Sequence, residues 1–204
     1  ESARKDAVAR RLSGGPRHLL PDRVAGKPRA ELSKLFRGFL EGQSATVVEA
    51  TRDEVPAAIS SYLRNSNLPQ RVRVGADPWL ASLPWSNVPS LERASGRADP
   101  KDDVGLAHAV AGVAETGTMM LASGADNPVT LNFLPETHIV VIEEKDIVAG
   151  YEDGLAILKD RLGPAVMPRT LNMISGPSRT GDIGGRIVMG AHGPRRMCVV
   201  IVKS

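Results

Sequence analysis

The sequence is poor in cysteine: among its 204 residues, Cys198 is the only one. A single thiol cannot close an internal disulfide, and it cannot supply the set of thiolates that holds an iron–sulfur cluster or a structural zinc ion. Because Cys198 lies inside the apolar run from Met197 to Val202, we interpret it as a buried thiol of the core. The sequence therefore predicts no cofactor in this chain.

Long apolar runs are also absent. No stretch approaches the roughly 20 apolar residues that a membrane-spanning helix needs. The N-terminal residues are charged, unlike the apolar block of a secretory signal. We therefore predict no membrane span and a cytoplasmic location. The sequence begins at Glu1 rather than at a methionine, which leaves a trimmed N-terminus open.

The histidines lack the i, i+4 spacing of a metal site on a helix. We interpret each as a structural or loop residue and predict no bound metal ion. His192 is retained as a candidate ligand contact, because it lies in the glycine-rich segment Gly190 to Pro194, which could fold near another such segment. The other histidines are His18, His108 and His138.

Aromatic residues make up 3% of the sequence, whereas apolar residues make up 42% and charged residues 24%. These proportions are typical of a globular domain with an aliphatic core. The length suits one large domain with an extension. Residues 1–40 hold ten Lys/Arg against four Asp/Glu. Since this basic arm lacks interleaved aromatic residues, we favour a solvated helix face or a docking arm over a nucleic-acid contact.

Apolar residues follow helical and strand spacings in alternation. Strands that alternate with helices predict an α/β fold with a mainly parallel sheet and helices on both faces. We place an N-terminal helical extension at residues 1–43 and the α/β domain at residues 44–204. Helical patterns cover residues 1–13, 32–40, 55–63 and 147–162, and strand patterns cover 45–50, 71–75, 138–142, 170–174 and 197–202.

Two stretches are less regular. Residues 104–113 and 119–122 are predicted as successive strands joined by the polar residues 114–118, with a helix over residues 106–113 as the alternative. Residues 77–100 are rich in proline, serine and tryptophan, and we predict irregular connections there around one short element.

The densest group of glycine, hydroxyl and charged residues directly follows the predicted strand at Thr170 to Ile174. Glycine lets successive backbone N–H groups converge, and an arginine fork matches a carboxylate or phosphate, so this composition favours an anion receptor. The alternative is a strand-to-helix connection in which Gly176 and Pro177 turn the chain and Ser178 or Thr180 caps the helix. The group comprises Ser175, Gly176, Ser178, Arg179, Thr180, Gly181 and Asp182.

A second polar group, Ala114 to Thr118, also follows an apolar run. Parallel α/β sheets hold ligands in loops at the carboxyl ends of their strands. If the two runs are neighbouring parallel strands, Glu115 and Arg179 should line one crevice, and Glu115 could act as base, nucleophile or hydrogen-bond acceptor. The alternative is an internal ion pair between Glu115 and Arg179 that positions the loops without chemistry. The predicted crevice comprises Glu115, Thr116, Thr118, Ser175, Ser178, Arg179 and Asp182.

Four motifs occur in a recognisable order and spacing. They are Ala114–Thr118, Leu134–Val141, Ile174–Ile183 and Gly190–Pro194. Together they resemble the lactate-utilization protein C family, also called the LUD domain. The resemblance covers residues 104–203, and before residue 104 only the general layout is similar. It implies a fold like that of the superfamily of ribose-phosphate isomerases, glucosamine-phosphate deaminases and coenzyme A transferases.

The sequence departs from the family pattern at two glycines. Gly181 stands where alanine is usual, and Gly184 stands where a glutamate commonly follows the Asp-Ile pair. No role of that glutamate can be transferred to this chain, and Asp182 is the only carboxylate left in the segment.

The resemblance implies association with bacterial oxidation of L-lactate to pyruvate, in which other proteins of the operon carry iron–sulfur clusters. We therefore expect a non-redox component that binds a small anionic ligand and docks to iron–sulfur partner subunits. The alternative is a free-standing isomerase or acyl/CoA-transferase-like enzyme that uses Glu115 with an Arg179 anion clamp. Whether the chain forms a homodimer is left undecided at this point, because domains of this superfamily often pair. The expected ligand contacts are Thr116, Gly117, Thr118, Ser175, Gly176, Ser178, Arg179, Thr180, Asp182 and His192.

Overall fold

A computed structural model describes residues 2–14, 19–163, 166–183 and 185–203, with the backbone alone at residues 10–14, 182 and 183. His18 and Gly184 lie outside the described residues. The helices are α1 (Ser2–Gly14), α2 (Arg29–Gly42), α3 (Val55–Asn65), α4 (Pro78–Ala81), α5 (Thr130–Phe133) and α6 (Tyr151–Leu162). The strands are β1 (Thr46–Ala50), β2 (Arg71–Val74), β3 (Glu92–Ser95), β4 (Val104–His108), β5 (Ala111–Val113), β6 (Thr118–Ala122), β7 (Thr137–Glu143), β8 (Ile147–Val148), β9 (Leu171–Ile174), β10 (Arg179–Ile183), β11 (Arg186–Met189) and β12 (Arg196–Val202).

The main sheet has the strand order β1-β12-β7-β4-β2-β3, and each neighbouring pair is parallel. Successive side chains of a strand point to opposite faces. On β7, Ile139 and Val141 therefore pack with α3, whereas Val140 and Ile142 pack with α2. The predicted class, a mainly parallel α/β sheet with helices, is confirmed.

A second sheet, with the order β8-β5-β6-β9, covers the α2 side of the main sheet. Its strand β6 contributes Met119 and Leu121 to the core shared with α2. Met120, on the opposite face of β6, packs against α6. One face of the main sheet is thus covered by a helix and a sheet together, and the apolar patterns of the sequence did not predict this second layer.

The prediction of one strand over residues 104–113 is wrong, as is the alternative of a helix. The chain passes from one sheet to the other inside this stretch. The Ala109 amide donates to Val141 of the main sheet at 2.9 Å, and the Val110 amide donates to Met120 of the second sheet at 2.8 Å. Because both halves are buried and apolar, their composition does not mark the break.

Three smaller predictions also need correction. Ile147, assigned to a helical stripe, lies in β8 opposite Gly112, and α6 begins only at Tyr151. The strand before Ser175 is β9 of the second sheet, antiparallel to β6, and not a strand of the parallel sheet. Residues 77–100 contain α4 and β3, and β3 was missed because its side chains are mostly exposed at an edge. No described helix is long and apolar enough to span a membrane.

Candidate functional site

The two polar segments singled out in the sequence lie at one edge of the second sheet. Strands β5 and β9 are each antiparallel to β6, so they run in the same direction. Both end where β6 begins, since Val113 pairs with Thr118 and Ile174 pairs with Met119. The residues that follow β5 and β9 are therefore neighbours, although the sheet differs from the predicted one.

Four hydroxyl groups join these segments, and we call them the hydroxyl cluster: Thr116, Thr118, Tyr151 and Ser175. The Thr118 oxygen lies 2.7 Å from that of Thr116, 3.1 Å from that of Tyr151 and 2.6 Å from that of Ser175. The Thr116 and Tyr151 oxygens are 2.9 Å apart. Each hydroxyl has one proton to donate, so four hydrogen bonds use every donor in the cluster. The hydroxyl cluster therefore fixes the two segments together rather than presenting free donors.

Two glycines bring the segments onto the end of α2. A Cβ atom at Gly117 would lie 2.5 Å from the Cβ of Phe39, and the backbone there has a left-handed φ of +66°. A Cβ atom at Gly176 would lie 2.8 Å from the Cβ of Gln43. Phe39 and Gln43 are one helical turn apart, so both segments contact the same side of this helix end.

Glu115 is held by a residue from outside the predicted crevice. The Arg23 side chain donates to the Glu115 backbone oxygen at 3.2 Å and to its carboxylate at 3.4 Å. The Glu115 side chain is 21% exposed. A nucleophile or base needs open approach to its carboxylate, and here Arg23 occupies one side. The assignment of Glu115 as a catalytic residue stays a prediction.

Arg179 lies beside the turn that follows α2. Its guanidinium donates to the amide oxygen of Gln43 at 3.2 Å and to the hydroxyl of Ser44 at 2.7 Å. Both partners are neutral, and Arg179 itself is exposed. Among the side chains that the structure describes, no carboxylate forms an ion pair with Arg179, so the alternative of an internal pair with Glu115 is not formed.

The predicted loop after Ser175 is mostly a strand. Residues from Arg179 onward form β10, which pairs with β11 in an antiparallel hairpin. A sequence signal for this hairpin was missed, because a Gly-Gly dipeptide, here at 184–185, is typical of two-residue hairpin connections. The strand-to-helix alternative, with Ser178 or Thr180 as a helix cap, is wrong for the same reason.

The second glycine-rich segment folds against the first. The Ser178 amide donates to the Pro194 carbonyl at 2.8 Å, and the Thr180 hydroxyl lies 2.8 Å from Nδ1 of His192. His192 is exposed at this contact. The Asp182 side chain lies outside the described residues, so its predicted role as a ligand contact stays a prediction.

Several residues of this region were not among the candidates. Tyr151 was assigned to the apolar stripe of a helix, yet its hydroxyl is part of the hydroxyl cluster. Gln43 and Ser44 follow α2 without any motif, although the left-handed φ of 68° at Ser44 marks a tight turn. Arg23 lies in the N-terminal arm. Only tertiary contacts identify these residues.

The fold and this edge define an α/β protein in which a mixed second sheet holds two glycine-rich segments beside an exposed arginine. The chain belongs to the LUD domain family, whose family model matches residues 27–202. The resemblance seen in the four sequence motifs is thereby confirmed. The match begins just before α2, so it includes the helix on which Gly117 and Gly176 pack.

Similar proteins agree with this assignment. A protein of Deinococcus radiodurans called lactate utilization protein C is 32% identical over 203 residues, which cover 96% of this chain and 92% of the relative. A protein of the same name from Geobacillus thermodenitrificans is 31% identical over 125 residues, 61% of this chain, but the alignment spans only 49% of that relative. The crystal structure of a DUF162 family protein from Deinococcus radiodurans has a TM-score of 0.66 and 26% identity, covering 86% of this chain and 99% of that one.

Proposed function

We propose that this chain is a non-redox component of a bacterial L-lactate utilization system. The similarity to the Deinococcus protein named for lactate utilization carries the proposal, because it extends over 96% of the chain. Membership of the LUD domain family supports it over residues 27–202.

We further propose that the chain binds a small anionic ligand at Arg179. A guanidinium fork suits carboxylate and phosphate oxygens. Among the side chains that the structure describes, the exposed Arg179 contacts the neutral oxygens of Gln43 and Ser44 and no carboxylate, so its charge is available to a ligand. The hydroxyl cluster acts by fixing the Gly117 and Gly176 segments beside α2, and Thr180 with His192 extends the same surface. The ligand contact is thus assigned to Arg179 and the supporting role to the hydroxyls.

Electron transfer in this proposal takes place on partner subunits. The sequence has one cysteine, and that residue lies buried in β12. Because one thiol cannot hold an iron–sulfur cluster, the oxidation of lactate would require cluster-bearing proteins to which this chain docks. The basic N-terminal arm is a candidate for that docking contact.

Deletion of the gene tests the role directly. We expect the deletion strain to grow normally on glucose and poorly on L-lactate, and we expect a plasmid copy to restore growth. An affinity-tagged chain should retain proteins that contain iron and acid-labile sulfide. Normal growth of the deletion strain on L-lactate, with no such protein retained, would contradict the proposal.

A further inference from the structure

A second group of polar residues lies at the carboxyl edge of the main sheet. Strand β2 pairs with β3 on one side and with β4 on the other. After β2 the chain forms β3, on the side of β2 away from β4. After β4 the chain forms β7, on the side of β4 away from β2, so the two connections lead to opposite edges of the sheet. Open α/β sheets bind ligands at such a switch in strand order. Asp77 follows β2 and His108 ends β4, so both lie at this switch.

Asp77 and His108 form a rigid pair. One carboxylate oxygen of Asp77 accepts from the Leu80 amide at 2.8 Å and so caps α4. The other lies 3.2 Å from Nδ1 of His108. The ring of Trp79 stacks on the imidazole, with ring centres 4.6 Å apart. Position and rotation of the imidazole are therefore fixed from two sides.

The carboxylate of Asp77 selects the tautomer of the His108 imidazole. Burial acts to raise the pKa of Asp77, but the hydrogen bonds from His108 and from backbone N–H groups outweigh burial and lower that pKa. The ionised carboxylate of Asp77 accepts a hydrogen bond from the Nδ1–H group of His108, and in this neutral tautomer the imidazole carries its lone pair at Nε2.

Two residues that line one cavity each have a buried side-chain atom without a hydrogen-bond partner among the described residues. These atoms are Nε2 of His108 and Oδ1 of Asn127. The His108 side chain and the residue Asn127 are each 7% exposed. Both line a cavity of about 210 Å³. An unsatisfied buried polar atom costs about 1–3 kcal/mol, so two of them at one cavity call for a ligand that donates hydrogen bonds.

The charges around the cavity disfavour an anion. Its lining includes the carboxylates of Asp77 and Asp126. Its one arginine, Arg161, is already bonded to Asp146 at 2.5 Å. A carboxylate or phosphate placed here would meet negative charge, and the described lining offers it no free lysine or arginine.

We propose that this cavity binds a small uncharged molecule with hydroxyl groups, which donates hydrogen bonds to Nε2 of His108 and Oδ1 of Asn127. A water molecule takes up roughly 30 Å³ in the liquid, so the cavity accommodates a polyol of a few carbons. Asp77 is a positioning residue that holds the imidazole toward the ligand. None of these residues belongs to the Arg179 surface, and the binding test below does not depend on growth on lactate.

Imidazole NMR with two probes of similar size tests the inference. The His108 signals are identified by their loss in His108→Gln. Glycerol is then titrated into the wild-type chain, and sodium L-lactate into a second sample at equal concentrations. We expect glycerol to shift the Nε2 signal of His108 along a saturating curve, and lactate to leave it in place. Asn127→Ala should weaken the glycerol effect about tenfold, the equivalent of about 1.4 kcal/mol, while Asn65→Ala at the exposed end of α3 should not.

Three results would overturn the inference. A His108 signal that does not respond to glycerol, or responds without saturation, would mean that water fills the cavity. A response unchanged in Asn127→Ala, with the rest of the spectrum preserved, would remove Asn127 from the site. Equal binding of lactate would show that the cavity does not exclude negative charge.

Discussion

Thr118 and Ser175 are 57 positions apart in the sequence, and their side-chain oxygens are 2.6 Å apart. This hydrogen bond joins the first residue of β6 to the residue after β9 at the edge of the second sheet. It brings together two of the four motifs that carry the resemblance to the LUD domain family. Two motifs that are distant in the sequence are thus in direct contact through the side chains of Thr118 and Ser175.

Removal of the Thr118 hydroxyl should destabilise the fold. Thr118→Val keeps the shape of the side chain but leaves the hydroxyls of Thr116, Tyr151 and Ser175 without their common partner. Thr118 is 2% exposed, so water cannot replace it. We expect the free energy of unfolding to fall by about 1–3 kcal/mol, measured by urea denaturation. The matched change Thr46→Val, at an exposed position of β1, should have little effect. Equal losses in both variants would contradict the assigned role.

The packing of Gly117 on α2 can be separated from its backbone conformation. Gly117 and Gly26 have the same left-handed φ of +66°, but a Cβ atom at Gly26 would meet nothing within 4 Å. Each Gly→Ala change should cost about 1–2 kcal/mol for the backbone. Gly117→Ala should cost more, because its Cβ would also collide with Phe39. Thermal unfolding of the two variants gives the difference, and equal midpoints would show that the segment does not press on the helix.

His138 should make the fold sensitive to acid. Burial lowers the pKa of His138 from 6.5 to about 3, so the imidazole stays neutral in the folded state. The unfolded chain binds a proton there below its ordinary pKa. The free energy of unfolding should therefore fall as the pH decreases from 6.5 toward 3, by up to about 1.4 kcal/mol per pH unit from this group. Between pH 6 and pH 4, which lies between the two pKa values, the free energy of unfolding should depend less steeply on pH in His138→Leu than in the wild type. Parallel curves for the two proteins would exclude His138 as the cause.

Cys198 should be unreactive in the folded protein. It lies in β12, between β1 and β7 of the main sheet, and burial raises the pKa of its thiol to about 12. Thiol reagents attack the thiolate. We expect a chromogenic disulfide reagent to label the native chain very slowly and the guanidinium-denatured chain at once. Rapid labelling of the native chain would show that β12 is accessible.

Arg179 should be required for stabilisation by an anionic ligand but not for folding. Thermal-shift measurements against lactate, pyruvate, coenzyme A and sugar phosphates should identify a compound that raises the midpoint of the wild type. At a free concentration of about 100 times its Kd, such a compound raises the free energy of unfolding by about 2.7 kcal/mol. Arg179→Gln should keep the unliganded midpoint and lose the shift, whereas Arg97→Gln, at another exposed arginine, should keep both. Unfolding of Arg179→Gln without ligand would show that the arginine is structural.

The sequence predicted the main strands well because buried parallel strands are apolar throughout. Residues 138–142 and 197–202 needed no tertiary information, and they became β7 and β12. The exchange between sheets at Ala109 and Val110 could not be predicted, since either sheet satisfies an apolar strand equally well. The edge strand β3 has no apolar pattern, so its existence depends on pairing with β2.

The polar segments of the candidate site were predicted from the sequence, whereas the residues that contact them were not. Glycine and hydroxyl residues mark where the chain turns and where side chains can bond, so the two polar segments were recognised. Their partners come from ordinary positions on other elements: Tyr151 on α6, Gln43 and Ser44 after α2, and Arg23 in the N-terminal arm. The pair of Asp77 and His108 was missed because neither residue lies in a motif, and only the order of the strands brings them together.

Growth of complemented strains on L-lactate tests the central claim most directly, because it joins the role in lactate utilization to the exposed guanidinium of Arg179. A deletion strain would receive the wild-type gene, Arg179→Gln or Arg97→Gln at equal protein levels. We predict that the wild type and Arg97→Gln restore growth, and that Arg179→Gln, although folded, does not. Full growth with Arg179→Gln, or normal growth of the deletion strain itself, would contradict the account.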